Sequence, residues 1–522
     1  MMMNEWLKRN EEYSLYCPEC GFGLNVAGMQ FKAADLAALA PQLKAARVGM
    51  QAIENGEIKN PDEQRKVTHF TDRLNYLASP LFQQVKQFAD DIAAGKILSA
   101  AGKPFSAAII NGIGGSALGP QLMQFAMNGG YWNEKSAAQR NGYLKIYFLD
   151  NTDAAGVNDL LDVVDWNTAL VVTISKSGGT QETKNNLTAL EMVFAQKNID
   201  LAKQSAVITM NGSNLYKYAT EKHYLRIFEM ADSIGGRTSE TSVVGHLPAA
   251  LAGIDFGAFL QGAGKMDEWT REPELLDNPA YLLAAMWYIA GNGKGNRNMV
   301  IVPYADRLIL LSRYLQQLVM ESLGKELDLD GNVVNQGLNV FGNKGGTDAH
   351  AFIQQLNDGR DDFFVTFVEV LKDSAQLPMG GGLMMGDYLH GFMAGLTAAL
   401  QCKKRQVIRI TIDELTPAAL GMLIALYERA VAVYAEFIHI NAFHQPGVQA
   451  YKLAAKGELA LRDEILQKLT AMKPVSGTAK ELAAKIGRAE AWPEVAGWLD
   501  KLAVNGTLER HRQANNWVYT VA

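Results

Sequence analysis

Six short runs in this sequence gather the residue types that hold anions and move protons. Asn111-Gly112-Ile113-Gly114-Gly115-Ser116-Ala117-Leu118-Gly119-Pro120 directly follows an apolar run, Ala107 to Ile110. Glycines at such a place let the backbone approach a bound group, and a helix beginning there offers free amides to an anion. Taken alone the run is ambiguous, since a dinucleotide fold uses similar glycines and a tight turn needs no ligand at all. Ser175-Lys176-Ser177-Gly178-Gly179-Thr180-Gln181-Glu182-Thr183 narrows the choice. Hydroxyls, a cation and two glycines at a strand-to-helix turn make a phosphate cradle that needs no metal. It is not a Walker loop, and helix capping explains one of its hydroxyls but not the set.

Gly235-Gly236-Arg237-Thr238-Ser239 sets an arginine on a glycine turn. Such a guanidinium stays charged and suits a developing oxyanion, whereas a loop arginine can equally be plain surface. Gln317 and Glu321 share one face of a helix expected over 306–323, with Glu321 following the apolar Leu318-Val319-Met320. A carboxylate with restricted solvation is a candidate general base, against the ordinary alternative of a salt-bridged glutamate. Gly345-Gly346-Thr347-Asp348-Ala349-His350 puts one of eight histidines beside glycines, and Asn441 to Lys452 leads through a turn into a helix carrying Lys452.

These groups need a frame to position them. A chain of 522 residues is long for one core, and 48% hydrophobic with 20% charged residues marks a globular protein of several domains. The net charge of −6 gives no whole-chain attraction to nucleic acid or acidic membranes. Residues 1–104 read as a mainly helical segment. From 105 onward β-rich runs alternate with helical stretches, at 107–110, 146–149, 170–174 and 206–209, and again at 299–302, 363–367 and 407–410. That alternation is the mark of doubly wound parallel sheets, and the two series predict two α/β domains, 105–280 and 281–456. The longest apolar stretch, Pro417 to Phe437, is broken by Glu428, Arg429 and Glu436 and reads as a buried helix rather than a membrane span. Three cysteines in so long a chain, and a polar N-terminus, point to the cytoplasm. Cys17 and Cys20 form a C-x-x-C with no second pair to complete a structural zinc site, so no metal is expected.

In this order the segments IGGSALGP, SKSGGTQET, GGRTSETS, QQLVMESLGKE, GTDAHAF and FHQPGVQAYK resemble the glucose-6-phosphate isomerase family, over roughly residues 30–456. The resemblance implies two sugar-isomerase (SIS) domains, no cofactor, and aldose–ketose isomerisation of glucose 6-phosphate and fructose 6-phosphate through ring opening and a cis-enediol. It further implies that Gly115, Ser116, Ser175, Lys176, Ser177 and Thr180 hold the phosphate, and that Arg237, next to Gly236, steadies the enediol. Glu321 matches the family's base, with Gln317 and Gln445 lining the pocket, and His350 and Lys452 match the pair that assists ring opening. The family brings its histidine from a neighbouring subunit, which implies a homodimer. His444, Pro446 and Gln449 depart from the aspartate, tryptophan and glutamate common there, and Ser177-Gly178-Gly179 replaces a bulkier run. These changes spare the catalytic positions but bear on substrate preference, with mannose 6-phosphate a secondary candidate.

Residues 457–522 read as three helices near 459–472, 479–486 and 494–504, followed by a hairpin, an order that resembles a winged-helix module. Its bases and acids nearly balance, and the third helix carries only Lys501 as a cation, which argues against nucleic acid. The competing reading of the whole chain is a sugar-phosphate sensor on the same SIS domains, which needs the phosphate cradle but not Glu321, His350 and Lys452 together. A nucleotide-dependent oxidoreductase using the first glycine loop explains none of the later segments.

Overall fold

A computed structural model describes residues 3–522. Two compact units divide the chain, one reaching to His444 and the other spanning Gln445–Ala522.

In the first unit an N-terminal hairpin, β1 (Ser14–Cys17) and β2 (Phe22–Asn25), precedes five parallel strands. These are β3 (Ala107–Asn111), β4 (Lys145–Leu149), β5 (Ala169–Ile174), β6 (Ser205–Thr209) and β7 (Arg226–Glu229), in spatial order 4-3-5-6-7. Every residue of β3, β5 and β6 is buried, as a sheet covered on both faces requires. Because β3 lies between β4 and β5, the chain leaves it first to one side and then to the other. The loops after β3 and β5 therefore part at their carboxyl ends, where doubly wound sheets open a ligand crevice.

The second sheet repeats the plan with β8 (Asn298–Tyr304), β9 (Val340–Phe341), β10 (Phe363–Val370) and β11 (Gln406–Ile412). β8 is flanked by β9 and β10, all parallel, with β11 beyond β10. Among its described residues the segment up to residue 104, expected to be mainly helical, carries five helices and four short strands. Its hairpin departs from that reading: β2 pairs antiparallel with β11 and extends this sheet. Phe22 and Leu24 fill the core from strands too short to show a period of two.

Helix Pro417–Phe437 has 94% of its apolar window buried inside the protein. It packs on helix Phe256–Trp269, where Gly421 and Gly262 let the backbones touch: a side chain on Gly262 would meet the Ala418 carbonyl at 2.0 Å. Two of the three charges interrupting its apolar run, Glu428 and Arg429, are paired. Glu428 accepts from Arg73, which also bonds Asp267 at 2.5 Å, and Arg429 reaches Glu54 at 2.7 Å and Asp267 at 3.4 Å.

The second unit begins with one helix, Pro446–Ala471, that runs unbroken past the boundary expected at 456/457. There follow β12 (Val475–Thr478), helices Ala479–Lys485 and Trp492–Val504, and β13 (Glu509–Gln513) with β14 (Asn516–Val521). β14 is the central strand of an antiparallel trio. Ile465, Leu469, Leu482, Leu499 and Tyr519 form its own apolar centre.

Candidate active site

The loop after β3 meets the arginine turn from the middle of the chain. A side chain on Gly115 would start 1.7 Å from the Gly236 carbonyl oxygen, so only glycine permits the approach. Ser239 fastens the junction by donating to the carbonyls of Gly115 (3.2 Å) and Gly236 (2.8 Å). Ser116 ends the short helical turn Gly114–Ser116 that opens helix Leu118–Asn128.

After β5, Ser175 Oγ accepts from the Gly178 amide at 3.2 Å and approaches Thr180 Oγ1 at 3.4 Å, while Ser177 Oγ accepts from the Gly179 amide at 3.1 Å. Thr180 is the cap residue of helix Gln181–Gln196, yet its side chain makes no capping hydrogen bond. Ordinary capping thus does not account for this hydroxyl, which remains turned to the loop with Ser175. Lys176 is held differently from the expectation of a cation in the cradle. Its ammonium donates to the Asp232 carbonyl at 2.7 Å and sits 3.0 Å from the Asp232 carboxylate and 3.5 Å from that of Glu63. Glu63 also binds Arg65 at 2.7 Å, and Arg65 lies beside Gly235. One ion chain therefore runs from the phosphate-type loop to the arginine turn.

Arg237 is 7% exposed, and burial lowers its pKa to about 10, so it remains a cation at neutral pH. It donates to Ser322 Oγ at 2.6 Å and to the Ala442 carbonyl at 2.5 Å, and its Nε lies 3.8 Å from the Glu321 carboxylate. The helix expected over 306–323 is in fact three pieces: a turn at Asp306–Leu308, an α-helix at Leu311–Leu315 and a π-helix at Gln316–Glu321. The wider π-turn sets residues four apart almost one above the other, and such turns recur at functional sites. It directs Gln317 to the first loop, its Nε2 lying 2.9 Å from where a side chain on Gly114 would begin. Gly115, Gly236, Arg237, Gln317 and Glu321 are thereby one cluster, with the loop of Ser175, Ser177 and Thr180 beside Gly115's loop on the neighbouring strand.

His350 closes the short turn Asp348–His350 after β9 and is exposed. Among the described residues its imidazole has no hydrogen-bond partner within the chain. Gln445 and Lys452 fall in the second unit, where Gln445 precedes helix Pro446–Ala471 and Lys452 is exposed near its start. Cys17, Glu19 and Cys20 bring three ligand atoms within 4.8 Å in the turn between β1 and β2, one fewer than a closed structural zinc site uses.

Sequence reasoning missed Lys325. It is 5% exposed, and burial, reinforced by the charge of Arg237 and opposed by Glu321, lowers its pKa to about 7. Its ammonium donates to the Glu321 carbonyl at 2.8 Å and the Ser322 carbonyl at 2.7 Å. The only sequence signal is a cation four residues beyond the carboxylate, which reads equally as a surface pair.

Two sheets whose parallel strands follow the same plan, glycine and hydroxyl loops at a switch point, and a carboxylate facing a buried guanidinium define a double SIS-type α/β protein. More particularly, the chain belongs to the phosphoglucose isomerase family, whose model matches residues 32–467. It is 45% identical over 512 residues to the glucose-6-phosphate isomerase of a Cyanothece species, covering 96% of this chain and 95% of that one. It is 44% identical over 506 residues to the Geobacter sulfurreducens enzyme of the same name, covering 94% and 93%. Among solved structures, a glucose-6-phosphate isomerase from Chlamydia trachomatis matches with a TM-score of 0.77 at 26% identity, over 88% of this chain and 91% of that one. A hypothetical protein from Thermus thermophilus matches with a TM-score of 0.67 at 26% identity, over 82% and 97%.

Proposed function

We propose that this chain interconverts glucose 6-phosphate and fructose 6-phosphate, with Glu321 carrying a proton between adjacent sugar carbons. The observation that supports this most is the Glu321 carboxylate 3.8 Å from the buried Arg237. After ring opening, a base must remove a weakly acidic proton next to a carbonyl and return it to the neighbouring carbon. In a cis-enediol both carbons lie within reach of one carboxylate. Arg237, desolvated and charged, offsets the negative charge that gathers on the enediol oxygens. The scheme transfers no hydride and so has no use for a nicotinamide.

Phosphate binding falls to the loop amides and to Gly115, Ser116, Ser175, Ser177 and Thr180. Lys176 shapes that loop through its ties to Asp232 and Glu63. Ring opening falls to His350 and Lys452, with Gln445 lining the pocket. His350 acts in a second copy's site, so the working form is a homodimer. The exposure of His350 and a run of exposed apolar side chains support this, among them Leu377, Met379, Met385, Tyr388 and Phe392. Exposed apolar side chains gathered in one stretch are a mark of an interaction surface.

The enzyme is cytoplasmic and binds no nucleic acid. In the winged-helix-like tail, cations that a DNA-binding face would need are paired, Arg488 and Lys468 with Glu464 and Arg510 with Asp500. A sensor would need the phosphate loops but no carboxylate facing Arg237, which is why the enzyme is favoured. Supplying fructose 6-phosphate and following glucose 6-phosphate through a coupled dehydrogenase tests the activity. Absence of turnover, with phosphosugar still bound by calorimetry, would return the sensor.

A further inference from the structure

The geometry points to Lys325 as a positioning residue for the base: its amine ties down the carbonyl end of the π-turn that carries Glu321. This rests on the reading of Glu321 as the proton carrier, and it adds a group outside the residues that touch substrate.

The last carbonyls of any helix lack intrahelical donors, and a π-turn ending inside the protein must find them elsewhere. Here one buried side chain serves two of them, the carbonyls of Glu321 at 2.8 Å and Ser322 at 2.7 Å. The anchor itself is fixed, because Lys325 opens a short strand, Lys325–Leu327, paired with Val333–Gln336, and Lys325 stands opposite Gln336. The Gly324 amide adds a bond back to the Met320 carbonyl at 2.9 Å. From the other side, Arg237 donates to the Ser322 hydroxyl at 2.6 Å. Residue 322 is therefore held between two cations, and the Cα of Glu321 cannot slide along the helix axis without breaking a bond to Lys325. The amine donates in either protonation state, so the tie persists across the working pH range. A one-ångström error in the position of a catalytic group costs on the order of 100-fold, which sets the size of the effect.

The test uses the full-length protein with fructose 6-phosphate, assaying wild type, Lys325→Met, Lys325→Gln and Lys325→Arg together. Wild-type turnover secures the isomerase reading first, and its absence would count against that reading rather than against Lys325. Lys325→Met should lower kcat roughly 10- to 100-fold while KM stays within about threefold, since no substrate contact is removed. Lys325→Gln should fall between Met and wild type, and Lys325→Arg, which keeps a cationic donor, should recover most of kcat. Where Met proves too disruptive to fold, as read by circular dichroism, Gln and Arg carry the same comparison. Folded variants whose kcat stays within threefold of wild type overturn the proposal. So do variants in which KM rises in step with the fall in kcat, or in which Arg is no better than Met.

Discussion

Glu321 and Arg237 lie 3.8 Å apart with a guanidinium that is almost wholly buried, so the charge between them is poorly screened. Proton transfer by a positioned base is worth roughly 10²–10⁴-fold, and Glu321→Gln should lose at least that much in kcat. Arg237→Lys keeps the charge but not the planar guanidinium, whose Nη1 donates to both Ser322 Oγ and the Ala442 carbonyl. It should cost on the order of 100-fold in kcat, as loss of an oxyanion donor does, and steady-state kinetics at saturating substrate will show it. Lys325 adds a pH signature. Its folded-state pKa is about 7 against an ordinary 10.5, so between those values the unfolded chain binds the extra proton. Its contribution to stability is present above about pH 10.5 and lost as pH falls through about 7. Thermal melts of wild type and Lys325→Met should therefore diverge in favour of wild type as pH rises from 7 to 10; parallel curves would contradict the burial. Glu321, Arg237 and Gln317 were readable as residue types at telling spacings. Lys176 lies in the loop, but its ammonium is paired with Asp232 and Glu63, residues far away in sequence.

The elements place these groups by close backbone contact more than by side-chain packing. Gly115 against Gly236 is the sharpest case, since a methyl group on Gly115 would meet a carbonyl oxygen with no flexible atom to yield. Gly115→Ala should cost roughly 1–3 kcal/mol in stability by overpacking and remove most activity, measured by urea melts and turnover. Thr180 offers the opposite result. Because its hydroxyl does not cap its helix, Thr180→Ala should leave the melting temperature nearly unchanged and raise KM for fructose 6-phosphate. Ser213 does cap the helix Asn214–Glu221, its Oγ accepting from the Tyr216 amide at 3.0 Å. Ser213→Ala should lose about 1 kcal/mol with KM unmoved. Most of the parallel strands were legible as continuous apolar runs, with β3, β5 and β6 buried throughout; β7, which begins and ends on the exposed Arg226 and Glu229, and the two-residue β9 were not. The β1–β2 hairpin was not, since four-residue strands show too little alternation and their partner β11 lies nearly 400 residues away. The π-turn was equally hidden: an i, i+4 pair looks the same in either helix type.

Across the whole molecule, Glu428 and Arg429, which interrupt the apolar run of helix Pro417–Phe437, are paired in the core. Burial holds the Glu428 carboxyl well above the usual range, against the pull of Arg73. Glu428→Ala removes one of the two carboxyl partners of Arg73 and leaves Asp267, so it should cost roughly 1–3 kcal/mol, visible as a lowered denaturant midpoint with unchanged KM. The exposed apolar patch around Tyr388 and Phe392 should bring two chains together, and light scattering should report a dimer. A monomer at working concentration would detach His350 from the proposed chemistry. The tail's helices and closing hairpin were visible in the sequence, but its long first helix was not, because the family motif ending near Lys452 hid the continuity to Ala471. The measurement that bears most directly on the account is turnover of fructose 6-phosphate by the purified chain and by Glu321→Gln. Brisk conversion to glucose 6-phosphate, lost by at least roughly 100-fold in the variant, is the predicted result. Turnover that survives the substitution would contradict the central claim that one carboxylate carries the proton.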